Sequence, residues 1–136
     1  MSPAAGRVLV DTSAWIDALR EDGDPQVRSA VKELTSDGLA VLCDVVRLEL
    51  WNGAGGSAEV RMLRELEREL ECVPTTDEVW RRAIELARAC RSRGLSVPAV
   101  DLLVAACADG HGLDLLHHDA HFDSIAQAKA ARRGDR

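Results

Sequence analysis

The chain has 136 residues, is 46% apolar and carries a formal net charge of −6, which fits one domain with a sizeable core and excludes a disordered chain. No apolar run approaches the ~20 residues needed to span a bilayer, and Met1 to Gly6 lacks a signal peptide's hydrophobic stretch, so a soluble, cytoplasmic protein is expected. The acidic balance argues against a sequence-reading DNA binder, which carries a basic face, yet leaves room for a nuclease whose bound cations offset an acidic site.

Arg7 to Val10 has the apolar character of a short buried strand, ended by Asp11, Thr12 and Ser13. These three are N-cap residue types, and Ala14 to Arg20 continues as a helix with Trp15, Ile16 and Leu19 on one side. Gly23-Asp24-Pro25 breaks the chain, and Val27, Val31 and Leu34 mark a second helix that stops near Asp37-Gly38. Leu39 to Cys43 is the next strand, with Asp44 placed to cap a helix through Glu49 and Trp51 that ends at Asn52-Gly53. Gly55-Gly56-Ser57 opens a helix with Val60, Leu63, Leu66 and Leu70 at helical spacing, and Cys72-Val73 is a short strand candidate before Pro74.

Thr76-Asp77 begins a helix whose expected apolar side is Val79, Trp80, Ile84 and Ala87, with Ala83 beside them, stopping near Gly94. From Pro98 or Ala99 a helix is apolar nearly all round, as buried helices are. Leu113 to Leu116 resembles a central strand and leads into His117-His118-Asp119. Strands alternating with helices predict an α/β fold: a central, mainly parallel sheet of four to five short strands flanked by helices. Nothing resembles an internal repeat or a linker, so residues 1–136 are expected as a single domain, with 125–136 set apart as a candidate mobile tail. Cys43, Cys72, Cys90 and Cys107 form no C-x-x-C pair and sit among apolar neighbours, as reduced structural thiols do.

Asp11, Glu49, Asp101 and Asp119 stand in four separate apolar or turn-like settings. Each has a structural explanation: Asp11 as a helix cap, Glu49 as a helix-surface residue, Asp119 as part of a turn. Asp101 is harder to explain so, because it lies one turn into the most apolar helix, where an unpaired charge is costly. In open α/β sheets the ligand site lies beyond the C-terminal strand ends. Asp11 and Asp119 follow strands and can arrive there, while Glu49 and Asp101 would reach it from helices. Gathered carboxylates repel by about 4 kcal/mol per pair at about 4 Å in a medium of effective dielectric about 20. Holding divalent cations is the use that makes such a cluster tolerable.

VDTSAWIDAL (Val10 to Leu19), LELWNG (Leu48 to Gly53), VPAVDLLVAACA (Val97 to Ala108) and LLHHDAHFDSIA (Leu115 to Ala126) occur in this order. The arrangement resembles the PIN-domain ribonucleases, and within them the VapC-type toxins of type II toxin–antitoxin pairs, over most of the chain. The resemblance implies a PIN-like fold in which Asp11, Glu49, Asp101 and Asp119 bind metal and carry catalysis. It implies Mg²⁺ as cofactor, with Mn²⁺ able to substitute, and in-line hydrolysis of RNA to a 5′-phosphate and a 3′-hydroxyl. It also implies a cognate VapB-type antitoxin and a homodimer, with no membrane partner. Asp123 is an auxiliary acid or a helix-surface residue, and Thr12 and Ser13 hold a water or cap a helix. Arg47, Arg91 and Arg93 are candidate RNA contacts, since arginine suits bidentate phosphate contact, or are solvated helix residues. Trp15, Leu50 and Trp51 line a partner surface or pack in the core.

The sequence departs from that family in two places. His117 stands where members often carry Thr or Ser, and either donates to phosphate or packs at the strand end. The Ala-rich segment after Ile125 offers no pattern for the last short strand that many relatives have. Among other enzyme classes, His118-Asp119 is the dipeptide of HD-type metal phosphohydrolases, which are all-helical and need further upstream histidines than His111. Zinc binding by His117 and His121 lacks a supporting cysteine pair. A receiver-like domain needs a lysine after a late strand, where Lys129 is isolated, and a haloacid-dehalogenase-like phosphatase needs D-x-D where Asp11-Thr12-Ser13 stands. A housekeeping or non-catalytic PIN-like RNA-binding domain is the remaining alternative.

Overall fold

A computed structural model describes residues 6–134, in which strands and helices alternate. The first half runs β1 (Val8–Val10), α1 (Thr12–Leu19), α2 (Pro25–Ser36), β2 (Ala40–Cys43), α3 (Asp44–Gly53) and α4 (Ser57–Glu69). The second runs β3 (Glu71–Val73), α5 (Asp77–Ser92), α6 (Ala99–Gly110), β4 (Asp114–Leu116) and α7 (His121–Gly134). Among the described residues the sheet has four strands in the order β3-β2-β1-β4, every neighbouring pair parallel, as expected for this α/β fold. Val8 pairs with Ala40 on one side and with Asp114 on the other.

This order places the site. The chain steps from β1 outward through β2 to β3, then returns to lay β4 on the opposite side of β1. Between β1 and β4 the strand order reverses, and diverging connections open a crevice at the carboxyl ends there. Asp11 follows β1 and Asp119 lies three residues beyond β4, so both reach that crevice. Leu9 and Val10 are fully buried, as expected of a central parallel strand covered on both faces.

Local chemistry fixes the helix ends. The Asp24 carboxylate accepts from Gln26 and Val27 N–H, with Pro25 in the first turn of α2, where its missing N–H costs nothing. Gly112 has φ of +65°, the left-handed turn that stops α6 and sends Leu113 N–H back to the Ala108 carbonyl. Gly110 permits a close approach, since a Cβ there would sit 3.1 Å from Val79 Cγ2 on α5. All four cysteines are free, and Cys43, Cys90 and Cys107 are buried among core residues.

Three expectations need correction. The buried side of α5 is Val79, Ala83, Leu86 and Cys90, whereas Trp80 and Ile84 are 51% and 60% exposed. Gly110 of α6 lies against Val79, so α6 covers that side of α5, and Trp80 and Ile84 are left outside it. Asp44 does not cap α3: it is the first helical residue, the N-cap is Cys43, and the carboxylate accepts from Thr75 N–H and Oγ. It still lies in the first turn, where negative charge suits the helix dipole. The segment after Ile125 is neither strand nor separate tail as far as Gly134; it continues α7, with Ile125 and Ala128 buried and Lys129 paired to Asp109. Asp135 and Arg136 lie outside the described residues.

Candidate metal centre

At the end of β1, Asp11 N–H donates to the Leu116 carbonyl at 2.9 Å, so the β1–β4 pairing extends into the crevice. The Asp11 side chain is only 3% exposed and caps α1, its Oδ2 accepting from Ser13 N–H at 3.0 Å and Ser13 Oγ at 2.6 Å. Ser13 Oγ in turn accepts from His118 N–H at 2.9 Å, tying α1 to the turn after β4. Thr12 Oγ donates to Glu49 Oε1 at 2.7 Å, which brings α3's acid beside the start of α1. Both hydroxyls flagged in the sequence therefore orient carboxylates.

Asp101 enters from the first turn of α6, with its carboxyl half-buried. His121 Nδ1 lies 2.9 Å from Asp101 Oδ2 and 2.9 Å from Asp119 Oδ1. Neither contact has hydrogen-bond alignment, and Nδ1 is itself buried without an aligned partner. Asp119 Oδ1 also accepts from His121 N–H at 2.9 Å, which sets the bend into α7. Donor atoms of Asp101, Asp119 and His121 all lie within 4.8 Å of one another. Burial first, then the charges of Asp119 and Asp11, hold the Asp101 carboxyl above the usual carboxylate range, while His121 opposes the rise.

Asp101 and Asp119 thus offer donor atoms within 4.8 Å of each other and Asp11 acts on Asp101 through its charge, whereas Asp11 and Glu49 stand outside that group of three, Glu49 being tied to Thr12. Two hard oxygen donors and an imidazole nitrogen make a donor set that fits a divalent cation. Asp123 is exposed in the first turn of α7, outside that group of three. His117 packs its ring on Phe122 at 4.9 Å between centroids, and its Nδ1 accepts weakly from Asp119 N–H at 3.4 Å. His118 Nδ1 meets Asp17 Oδ2 at 2.5 Å. The zinc pairing of His117 with His121 is not supported: one ring faces a core aromatic and the other faces the acids. The parallel sheet likewise removes the all-helical HD reading.

Among the arginines, Arg47 is held by Glu67 and Asp44, so its guanidinium is engaged within the fold. Arg91 and Arg93 are exposed at the C-terminal end of α5. Trp15 is core, and Trp51 is half-buried with Nε1 donating to Glu67 at 3.1 Å. Leu50, with Ile16, Leu19 and Met62, lines an apolar groove of about 360 Å³ whose lining also includes Thr12 and Glu49. No helix among the described residues is long and apolar enough to cross a membrane.

The PIN-domain profile matches residues 8–128, a span that contains all four acids. The chain is 37% identical over 123 residues to ribonuclease VapC21 of Mycobacterium tuberculosis, covering 88% of this chain and 86% of that one. In structure it is similar to VapBC-1 from nontypeable Haemophilus influenzae, with a TM-score of 0.70 at 16% identity over 88% of this chain and 92% of that one. VapBC-5 from Mycobacterium tuberculosis, a member of the VapBC family of toxin–antitoxin systems, superposes with a TM-score of 0.64 at 18% identity, over 88% and 90% of the two chains. The strand order and these likenesses agree, and the chain belongs to the PIN-domain family, among relatives named VapC ribonucleases.

Proposed function

We propose that the chain is a metal-dependent endoribonuclease toxin that hydrolyses RNA phosphodiesters at the β1/β4 crevice and is neutralised by a cognate VapB-type antitoxin. The observation that carries this reading is the convergence of Asp101, Asp119 and His121 donor atoms within 4.8 Å beside buried Asp11. Asp11, Glu49, Asp101 and Asp119 hold the cation, with Ser13 orienting Asp11 and Thr12 orienting Glu49. A bound Mg²⁺, or Mn²⁺ in its place, supplies the positive charge that polarises a phosphodiester and makes water a competent nucleophile at neutral pH. The acids keep that charge at the carboxyl edge of the sheet, and the exposed Arg91 and Arg93 are the RNA contacts this reading favours over the engaged Arg47. Asp123 and His117 are auxiliary at most.

The groove beside Thr12 and Glu49 suits an apolar peptide segment, and an antitoxin seated there would block RNA from the acids. Related structures of VapBC assemblies support such a partner. The toxin pairs with a second copy of itself and works in the cytoplasm, where its RNA is.

The test is RNA cleavage by the purified chain. Cleavage is expected to stop with EDTA, to return with Mg²⁺ or Mn²⁺, and to be lost in Asp101→Asn. Activity indifferent to EDTA would overturn the metal-dependent reading. A properly folded, metal-replete protein that binds RNA without cutting it would favour the non-catalytic PIN-like module instead.

A further inference from the structure

We infer that His121 is a direct ligand of the metal centre, and that its nitrogen shifts the site's preference from Mg²⁺ toward Mn²⁺ and other first-row ions. This rests on the reading of the crevice as a metal centre, and it adds a donor of a different chemical kind to the four acids.

The case begins with the turn between β4 and α7. Asp119 accepts the backbone N–H of His121, and this folds the His121 ring back over the crevice. Nδ1 then stands 2.9 Å from an oxygen of Asp101 and 2.9 Å from an oxygen of Asp119. An octahedral ion with ligands at roughly 2.0–2.1 Å sets adjacent donors about 2.9 Å apart, so the spacing is that of neighbouring corners of one coordination sphere. Nδ1 is buried and lacks an aligned hydrogen-bond partner, although the side chain as a whole is 45% exposed. The donor nitrogen therefore faces inward while the rest of the ring faces out.

The neighbouring histidines provide a contrast. His117 uses Nδ1 on Asp119 N–H and packs its ring at a tilt on Phe122, while His118 uses Nδ1 on Asp17. Only His121, of these three, aims a ring nitrogen at the acids. Donor type then sets preference: Mg²⁺ favours an all-oxygen shell, whereas imidazole is a better ligand for transition-metal ions. A site of carboxylates plus one imidazole gives up part of the Mg²⁺ preference that carboxylates alone would confer.

Pulsed electron paramagnetic resonance on the Mn²⁺-loaded full-length protein tests this without reference to cleavage. A coordinated-nitrogen modulation is expected in the natural protein and in His117→Ala, and is expected to vanish in His121→Ala. Calorimetric titration should show the ratio of Mn²⁺ to Mg²⁺ affinity falling about tenfold in His121→Ala, and His121→Asp should lower the ratio while retaining Mg²⁺ binding. Circular dichroism confirms folding, and His121→Asn replaces the alanine variant should that one not fold. Bound Mn²⁺ without nitrogen coupling, or an unchanged affinity ratio, overturns the His121 assignment. If Asp101→Asn then still abolishes Mn²⁺ binding, the acidic metal centre itself stands. Failure of the natural protein to bind either ion overturns both.

Discussion

The two ends of α6 follow opposite rules. Its first turn puts Asp101 into a crevice among like charges, where burial and the neighbouring acids penalise the ionised form. Its remaining turns carry Leu102, Val104, Ala105, Ala106 and Cys107, all buried, and Gly110 lets α5 close on them. One end favours packing; the other carries a carboxyl whose burial costs stability and which the proposed metal centre would use. Substitutions along one helix should therefore separate function from folding.

The largest effect belongs to the first turn. Asp101→Asn is expected to lower RNA cleavage by roughly a thousandfold or more, about 4 kcal/mol in the barrier, because it removes a ligand charge from the centre. The metal-free protein's melting temperature should not fall, since the neutral amide relieves a burial and repulsion penalty that the carboxylate bears. A lower melting temperature with cleavage intact would reverse the contrast. On α5, Leu86→Ala should destabilise the fold by about 2–5 kcal/mol in denaturant titration while leaving Mn²⁺ affinity of the folded protein unchanged.

Thr12→Val tests the coupling between the two regimes at finer scale. Losing the hydrogen bond to Glu49 should weaken metal affinity by about 10–100-fold, as loss of an orienting partner does, with little change in stability. An unchanged metal titration would mean that Glu49 holds its position without Thr12. The smallest effect is expected at Ile84→Ala on the exposed side of α5, within about 0.5 kcal/mol for the dilute monomer. A loss as large as that of Leu86→Ala, appearing only at high protein concentration, would show that a second copy covers this face.

Much of this was legible in the sequence, for different reasons at different places. Leu9 and Val10 announce a buried strand because a central parallel strand tolerates nothing polar, and Asp101 stands out as a candidate because it interrupts an apolar helix. The α5 face was misassigned because periodicity gives spacing and not phase: Val79, Trp80 and Ile84 satisfy a helical stripe as well as Val79, Ala83 and Leu86 do. Only the placement of the packing partner, α6, decides between them. His121 is one of several histidines, and its approach to the acids depends on a backbone bend at Asp119 that no local residue pattern specifies. Arg47 appeared free because its partner Glu67 lies on another helix.

The pairing of β1 with β4 has a consequence for the life of the polypeptide. Val8 meets Asp114 and Val10 meets Leu116, so the crevice closes across roughly a hundred residues of intervening chain, a contact of the slow, long-range kind. A chain in which β4 has not yet docked keeps Asp119 and His121 away from Asp11. Assembly of the crevice would thus wait on the docking of β4 against β1, and the rate of that step would set when Asp11 and Asp119 first share one edge of the sheet.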